Sequence, residues 1–396
     1  ETRYDSIATR YVKDYGRWNV KEVIDLGQSF RYDPGYVEGK DAGALEIIGM
    51  GATVMQADVL GRTTVGELQR DSGTPPAGAR LKLGSNAVGD DYKLNQRIEV
   101  GSMVALLPRS FGFGDALPAD LKTVLGINPA WVGKDRIAQL EIFSNQAAEV
   151  REALRAPAGG SVAITARTVD VNADVLAAGG TITFNARSNL ATGSGSILPT
   201  VLNVNVAEGV TLSARGAWVN HSPGAGADAS DNMRINGGKI TLSAANNVVL
   251  GKDARVDVTG GAQVRANGKV IAGQGGEIKI ESTSTGGVSL GGELGGHGVG
   301  KGGRLTLASN RIHIGGVPDA SPGVLNLDGG FFERGGFADF TLIGHEGLTV
   351  ADGTTIKPRL ETLELRPGYS VQSSGSRIET FSQRVKLDDR LRQRVN

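Results

Sequence analysis

The chain has 396 residues, with 42 basic and 42 acidic side chains, 59 glycines and no cysteine. Balanced charge, without a basic run that carries interleaved aromatic residues, argues against nucleic-acid binding. The absence of cysteine excludes disulfides, thiolate metal sites and cysteine nucleophiles. Glycine at roughly twice its average usage of about 7% points away from ordinary globular domains.

The beginning of the chain differs from the rest in composition. The first residues, Glu1–Arg10, lack the basic and apolar regions of a signal peptide, and no run of about 18 apolar residues occurs. The chain begins in the middle of a pattern, so we expect a piece of a longer protein. Residues 1–40 hold Trp18 and five of the seven tyrosines: Tyr4, Tyr11, Tyr15, Tyr32 and Tyr36. We predict a segment whose rings fill the core or cap an exposed edge.

An irregular repeat dominates the sequence between residues 41 and 365. Each copy is a Gly-Gly pair followed by a short strand in which apolar and polar residues alternate. The pairs are Gly159-Gly160, Gly179-Gly180, Gly237-Gly238, Gly275-Gly276, Gly302-Gly303 and Gly335-Gly336, with weaker copies at Gly43 and Gly78. A second strand, and often a third, follows each first strand, as at Val169–Val171, Val248–Leu250 and Arg255–Val258.

The repeat has one physical solution that buries its apolar residues. A unit of this size cannot bury its own apolar face, whereas units stacked in parallel share one continuous core. We therefore predict an all-β chain folded as a right-handed parallel β-helix, with coils at 41–107 and 158–365. Glycine is expected to provide positive φ at the corners, and Asn246, Asn247 and Asn310 to bond between coils. The alternative is an antiparallel β-sandwich, which would need two-residue Asn-Gly or Asp-Gly hairpins.

The alternation also assigns a core. In each of five repeat strands, two apolar side chains alternate with polar ones and are expected to point inward. These side chains should stack in columns: Val162, Ile164, Ile182, Phe184, Ile240, Leu242, Ile278, Ile280, Leu305 and Leu307.

Residues 108–157 interrupt the repeat. Apolar positions recur there at three- and four-residue steps, namely Ile137, Leu140, Phe143, Ala147, Val150 and Leu154. This spacing predicts a helix that stops at Pro157, and a shorter helix is predicted over Leu117–Leu125. We expect a partly helical excursion that covers strand edges or binds a partner. Residues 366–396 are expected to form a C-terminal tail.

The excursion supplies the candidate ligand contacts, which are Trp131, Phe111 and Phe113. Recognition usually lies on loops that a rigid scaffold holds in place, and aromatic rings stack on sugars and proteins with little loss of entropy. The alternative for Trp131 is that its ring fills the groove between the excursion and the coils.

Other motifs lack a required residue. Gly295–Gly302 matches the first seven positions of a phosphate-binding loop, but Gly302 stands where Ser or Thr must hold magnesium. The four histidines lack metal-binding spacing and are predicted to be surface or turn residues: His221, His297, His313 and His345. No catalytic, metal or cofactor site is assigned.

The Gly-Gly-x-Ile-Thr-Leu-x-Ala pattern, as at Gly237–Ala244, resembles the repeats of filamentous haemagglutinin-like exoproteins, the secreted partners of two-partner secretion systems. The resemblance covers residues 37–360 loosely. It implies a β-helical shaft, export through an outer-membrane transporter barrel, a place on the bacterial cell surface, and adhesion to cells or polysaccharide. The secretion domain of that family carries Asn-Pro motifs, and this chain has only Asn128-Pro129, so that domain is not carried over.

The leading hypothesis is therefore a structural and adhesive segment without catalysis. The alternatives are a polysaccharide lyase or hydrolase on the same fold, and a carbohydrate-binding module. An enzyme should gather acidic and basic residues on one face of successive coils. The outward positions between Gly237 and Gly303 are instead scattered Thr, Lys, Ser, Arg and Glu.

Overall fold

The computed structural model describes residues 6–7, 10–25, 30–31, 38–49, 51–66, 69, 76–85, 94–103, 105–112, 114–187, 201–223, 225, 234–283 and 285–386. These residues are mostly β-strand, with long parallel sheets and little helix. The prediction of an all-β chain built on parallel strands is confirmed. The antiparallel sandwich is wrong, because the three largest sheets pair their strands in parallel.

The described strands, in chain order, are β1 (Ser6–Ile7), β2 (Arg10–Tyr15), β3 (Val20–Asp25), β4 (Phe30–Arg31), β5 (Ala44–Ile47), β6 (Ala79–Leu83), β7 (Arg97–Val100), β8 (Val124–Ile127), β9 (Ile137–Phe143), β10 (Ala148–Val150), β11 (Leu154–Ala156), β12 (Ser161–Ala166), β13 (Val169–Val171), β14 (Val175–Ala177), β15 (Thr181–Ala186), β16 (Val204–Val206), β17 (Thr211–Ser213), β18 (Trp218–Asn220), β19 (Lys239–Ala244), β20 (Val248–Leu250), β21 (Arg255–Asp257), β22 (Ala262–Val264), β23 (Val270–Ala272), β24 (Glu277–Ser282), β25 (Val288–Leu290), β26 (Glu293–Gly295), β27 (Gly303–Ile314), β28 (Val324–Leu327), β29 (Phe337–Val350), β30 (Glu361–Leu365) and β31 (Ser382–Lys386). One α-helix, α1 (Ala119–Thr123), and five 3₁₀ helices accompany them: Gly16–Trp18, Pro129–Trp131, Gly329–Glu333, Tyr369–Val371 and Ile378–Thr380.

Three parallel sheets carry most of these strands. The first sheet runs β5–β6–β9–β12–β15–β19–β24–β27, with β28 and β29 both paired to β27. The second runs β8–β7–β10–β13–β16–β20–β25, and the third runs β11–β14–β17–β21–β26. Through the middle of the chain, each unit places one strand in each sheet and then returns to the first sheet one strand further along. This is the strand–turn–strand–turn–strand unit predicted from the repeat.

The core of the first sheet consists of two continuous columns. In register, the first column is Leu45, Leu81, Leu140, Val162, Ile182, Ile240, Ile278, Leu305 and Phe340, and Leu45 at the end of the sheet is exposed. The second column is Ile47, Leu83, Ile142, Ile164, Phe184, Leu242, Ile280, Leu307 and Leu342. All ten side chains assigned to the core from the sequence are fully buried. Burial of this kind is the main favourable contribution to the stability of the stack.

In the five pairs before Gly335-Gly336, the second glycine is required by close approach of the backbone. A Cβ atom on Gly238 would lie 1.9 Å from the carbonyl oxygen of Gly180, and one on Gly276 would lie 2.0 Å from that of Gly238. Positive φ is a reason at the first glycine of the two early pairs, Gly159 (φ 74°) and Gly179 (φ 57°), and at both glycines of the last pair, Gly335 (φ 77°) and Gly336 (φ 72°). The corner explanation drawn from the sequence is therefore incomplete, because successive units pack backbone against backbone there.

Asparagine side chains bond between neighbouring units. The Asn246 side chain accepts a bond from the Leu202 amide at 2.9 Å. Asn203 accepts from the Asn247 amide at 3.0 Å, and Asn247 in turn accepts from the Gly287 amide at 2.9 Å. These bonds satisfy backbone donors at the corners, where the sheet ladders are interrupted. The bonding predicted for Asn246 and Asn247 is confirmed.

The helix predicted over Ile137–Leu154 is wrong. The segment forms three short strands, β9, β10 and β11, one in each of the three sheets. Leu140 and Ile142 point into the core from β9, as do Ala148 and Val150 from β10. Alternation inside short strands, broken by corners, imitates helical spacing, and pairing of β9 with β6 and β12 decides the outcome. The shorter helix predicted over 117–125 is present as α1.

One strand of the second sheet, β8, and one strand of the first sheet, β28, lie out of the regular order of the units. β8 follows β7 in the sequence but lies outside it at the end of the sheet, and β28 pairs with the second half of β27. A 3₁₀ helix follows each of them and inserts one buried aromatic ring, Trp131 in the first case and Phe332 in the second. The excursion predicted at 108–157 therefore contributes its second half to the sheets.

The two ends of the chain differ in packing. Part of the predicted capping segment lies outside the described residues, and within residues 10–25 β2 and β3 form an antiparallel hairpin on which Tyr11 and Trp18 are 62% and 68% exposed. These two rings do not fill the core. The segment predicted as a tail, 366–396, is folded as far as residue 386, and residues 387–396 lie outside the described part.

Candidate functional site

A cleft opens where the third sheet stops. This sheet ends at β26, whereas the first sheet continues through β27 and β29. The 3₁₀ helix Gly329–Glu333 lies on one side of the open space and the antiparallel hairpin β30–β31 on the other. The cleft between them has a volume of about 500 Å³, and we call it the C-terminal cleft. This size falls within the usual range for small-ligand sites, roughly 300–1,000 Å³.

A second hydrophobic cluster holds the hairpin against the sheets. Trp218 of β18 is 2% exposed, and its ring packs against that of Phe381 with the centroids 4.7 Å apart. The cluster consists of Trp218, Ala262, Val264, Leu363, Ile378 and Phe381. Its members come from distant parts of the chain, so one wall of the cleft exists only because the C-terminal segment folds back.

The same segment is fixed by the buried amide of Asn220. The Nδ2 atom donates to the carbonyl oxygens of Ser370 and Gln372, each at 2.8 Å. Its Oδ1 atom accepts from the Ser222 amide, and the Asn220 amide donates to the Ser374 hydroxyl, both at 2.9 Å. Because a buried amide must keep its hydrogen bonds, these contacts fix the position of the segment that carries the hairpin.

Apolar side chains form one part of the cleft lining. They come from the ends of β25 and β28, from β26, and from the aromatic segment that follows β28: Leu290, Leu294, Leu327, Phe331, Phe337 and Phe340. The rings of Phe331 and Phe340 lie 6.4 Å apart in an edge-to-face arrangement. Phe331 is half-buried, so part of this apolar surface faces the cleft.

Ion pairs connect the hairpin with the third sheet. Arg215 donates to the Asp257 carboxylate at 3.2 Å and also pairs with Glu379 of the C-terminal segment. Asp257 is almost fully buried and additionally accepts a bond from the Thr259 amide at 2.9 Å. Breaking a pair of this kind leaves a buried charge without its partner, which is strongly destabilising.

His297 lies at the base of the hairpin and is buried. Its Nε2 atom donates to a carboxylate oxygen of Glu361 at 2.8 Å. Its ring lies close to Gly336, where a Cβ atom would lie 2.4 Å from the imidazole Cδ2. Burial lowers the pKa of His297, the hydrogen bond to Glu361 opposes this, and the nearby charge of Arg384 lowers it further.

The lowered pKa of His297 predicts a pH-dependent stability. The folded state favours the neutral imidazole. The stability that His297 contributes to the folded chain is therefore fully present above the unfolded pKa of about 6.5, and it is lost as pH falls through the folded pKa. We expect the melting temperature to fall between pH 7.5 and pH 5.5 more steeply in the parent chain than in a His297→Gln variant. Equal slopes in the two proteins, measured by thermal denaturation, would contradict this role.

The candidate contacts proposed from the sequence do not gather at this cleft. Trp131 is 5% exposed and belongs to the main core, so its ring is not presented to a ligand. Its position corrects the candidate assignment and matches the alternative, in which the ring fills space beside the sheets. Asn128 accepts a bond from the Ala130 amide and Pro129 begins the 3₁₀ turn, which fixes Trp131 inward. Phe111 is half-buried, and Phe113 lies outside the described residues.

Two further expectations need correction. His297 was expected to be a surface or turn residue, but it is buried beneath the hairpin. The charges between Gly237 and Gly303 were expected to be scattered, but Arg255, Asp257 and Glu293 of that stretch lie together in the lining of the cleft. The sequence held one signal for this place: four of the ten phenylalanines, Phe331, Phe332, Phe337 and Phe340, lie within one short segment.

The described residues contain no group of three or more His, Cys, Asp or Glu side chains arranged to hold a metal ion. No helix among them is long and apolar enough to cross a membrane. No protein-family model, curated protein or solved structure matches this chain.

Proposed function

We propose that the three parallel sheets are the faces of a right-handed β-helix, and that the chain is part of the shaft of a secreted bacterial surface protein. The nine-residue core columns and the glycine contacts between successive units support a stack of equivalent coils. The repeat also resembles that of filamentous haemagglutinin-like exoproteins. By that resemblance, an outer-membrane transporter barrel is the partner in export.

We further propose that the shaft attaches to polysaccharide through the C-terminal cleft. The observation that carries this proposal is the cleft itself, whose lining combines aromatic side chains with charged groups of both signs. Sugar rings present an apolar face and a polar edge, so they match a site of this kind. A second concavity, of about 420 Å³, lies on the coil face along the Gly-Gly pairs, but its lining contains no aromatic side chain on which a sugar could stack. Recognition usually lies where a rigid scaffold is interrupted.

We propose binding without cleavage. A glycoside hydrolase needs two carboxyl groups that flank the scissile bond and remain available for proton transfer or attack. In the cleft, Asp257 and Glu379 are bonded to Arg215, Glu361 is bonded to His297, and Asp328 is bonded to Arg334. Among the described carboxylates of the lining, Glu293 has no ion pair and Glu333 has a looser one with Lys386. Because most of these carboxylates are engaged within the protein, the cleft favours an adhesive role over the lyase or hydrolase alternative.

Glycan binding by the purified chain tests the proposed site. We expect Phe331→Ala to weaken binding about tenfold, because it removes a half-buried aromatic ring from the cleft lining, while Phe111→Ala binds as the parent does. Binding is measured on a glycan array and by calorimetry, with melting temperatures as the control for folding. Loss of binding in Phe111→Ala alone would place the site on the earlier segment. Release of reducing ends from a bound polymer would support the hydrolase.

A further inference from the structure

The acidic groups of the C-terminal cleft are mostly bonded within the protein. Asp257 and Glu379 pair with Arg215, and Glu361 pairs with His297. Asp328 pairs with Arg334. Glu333 has a looser contact with Lys386 at 3.7 Å. Among the described residues, Glu293 is the acidic group of the lining for which no ion pair is found.

The basic side chains of the cleft lining have N–H hydrogen-bond donors that remain available to a ligand. Arg384 lines the cleft and is exposed, and it forms no ion pair with a described residue. Arg255 reaches Asp257 only through Nε at 3.7 Å, and Lys386 reaches Glu333 only at the same distance. An arginine carries five N–H donors and a lysine three, so these side chains can still donate to a ligand.

We propose that the C-terminal cleft takes a sugar that bears a single carboxylate, a hexuronate unit, with the carboxylate bound by Arg384. This inference rests on the proposed function and names the class of sugar. Arginine binds a carboxylate through two parallel N–H···O bonds, which fixes the orientation of the sugar as well as its charge. Phe331 offers the apolar surface on which the ring of the sugar lies.

Glu293 and Arg255 complete the polar contacts. They stand opposite each other in register on β26 and β21, and both line the cleft. Glu293 can accept bonds from sugar hydroxyl groups, whereas Arg255 can donate to sugar oxygens. The lining contains six acidic side chains against four of Arg and Lys, so a densely charged sulfated polymer is disfavoured relative to one carboxylate per sugar.

Polygalacturonate and its fully methyl-esterified form test the inference with one polymer in two charge states. We expect the purified chain to bind oligomers of the free acid at least about tenfold more tightly than the methyl ester. The preference should weaken as salt is raised, because an exposed ion pair is screened. Calorimetry with oligomers of equal length measures both affinities.

Three variants separate the roles of the side chains. Arg384→Gln should lower affinity for the free acid about tenfold and leave affinity for the ester unchanged. Glu293→Gln should weaken both oligomers alike, because it alters bonds to hydroxyl groups. Arg377→Gln is the matched control, since Arg377 is an exposed arginine on the same C-terminal segment outside the cleft lining.

The outcomes distinguish this inference from the proposed function. Equal binding of acid and ester, with both weakened by Phe331→Ala, would overturn the carboxylate preference and leave polysaccharide binding in place. Tighter binding of the free acid that survives Arg384→Gln would overturn the assignment of the carboxylate to Arg384. Failure of every glycan, charged or neutral, to bind would overturn both proposals.

Discussion

Replacing Leu242 with aspartate is expected to unfold the chain at temperatures where the parent remains folded. Leu242 is fully buried in the second core column, between Phe184 and Ile280 of the neighbouring strands. No described basic group lies in this apolar column, so the charge would be unpaired, at a cost of several kcal/mol. Native domains are stable by only about 5–15 kcal/mol, so this cost is a large part of the total. Circular dichroism during thermal and urea denaturation measures the loss.

The neighbouring position supplies the control for this prediction. Thr241 points to the outer face of the same strand and stands in register with Lys279 of β24. Thr241→Asp therefore introduces the same charge beside a basic partner, and we expect its melting temperature to stay within a few degrees of the parent. Equal destabilisation by the two substitutions would show that the register of β19 is wrong.

A single methyl group on Gly238 is expected to have the next largest effect. The added Cβ would lie 1.9 Å from the carbonyl oxygen of Gly180, and backbone atoms cannot move aside as the end of a side chain can. Neighbouring units must separate at the corner, which breaks bonds of the parallel ladder such as that from the Lys239 amide to Gly180. We expect Gly238→Ala to cost at least about 3 kcal/mol, measured by urea denaturation.

Gly347 provides the matched comparison. It lies in β29 of the same sheet, has no atom within 4 Å of the Cβ position and does not require positive φ. We expect Gly347→Ala to leave stability unchanged or slightly raised, because alanine reduces the conformational freedom of the unfolded chain. If both alanine variants behaved alike, close stacking would not explain the Gly-Gly pairs.

The sequence was sufficient to predict the repeat and its core because both depend on local pattern. Alternation within each strand decides which side chains face inward, and the Gly-Gly pairs mark where each unit begins. Parallel stacking of identical patterns then aligns Ile240 with Ile278 and Leu242 with Ile280 without further information. The same local pattern failed at Ile137–Phe143, where short strands separated by corners imitate a helix and pairing with neighbouring strands decides.

The C-terminal cleft was decided by the tertiary structure. Its walls meet because Trp218 and Asn220 bind a segment that lies about 150 residues further along the chain. Neither the apolar–polar alternation of a strand nor a sequence motif indicates such a contact, because the contact depends on where the C-terminal segment returns after the third sheet has ended. The sequence by itself determined a stack of parallel strands, because burial along each strand is a local property. The fold alone brought Arg384, Glu293 and Phe331 to one cleft, because their proximity is a property of the path of the chain.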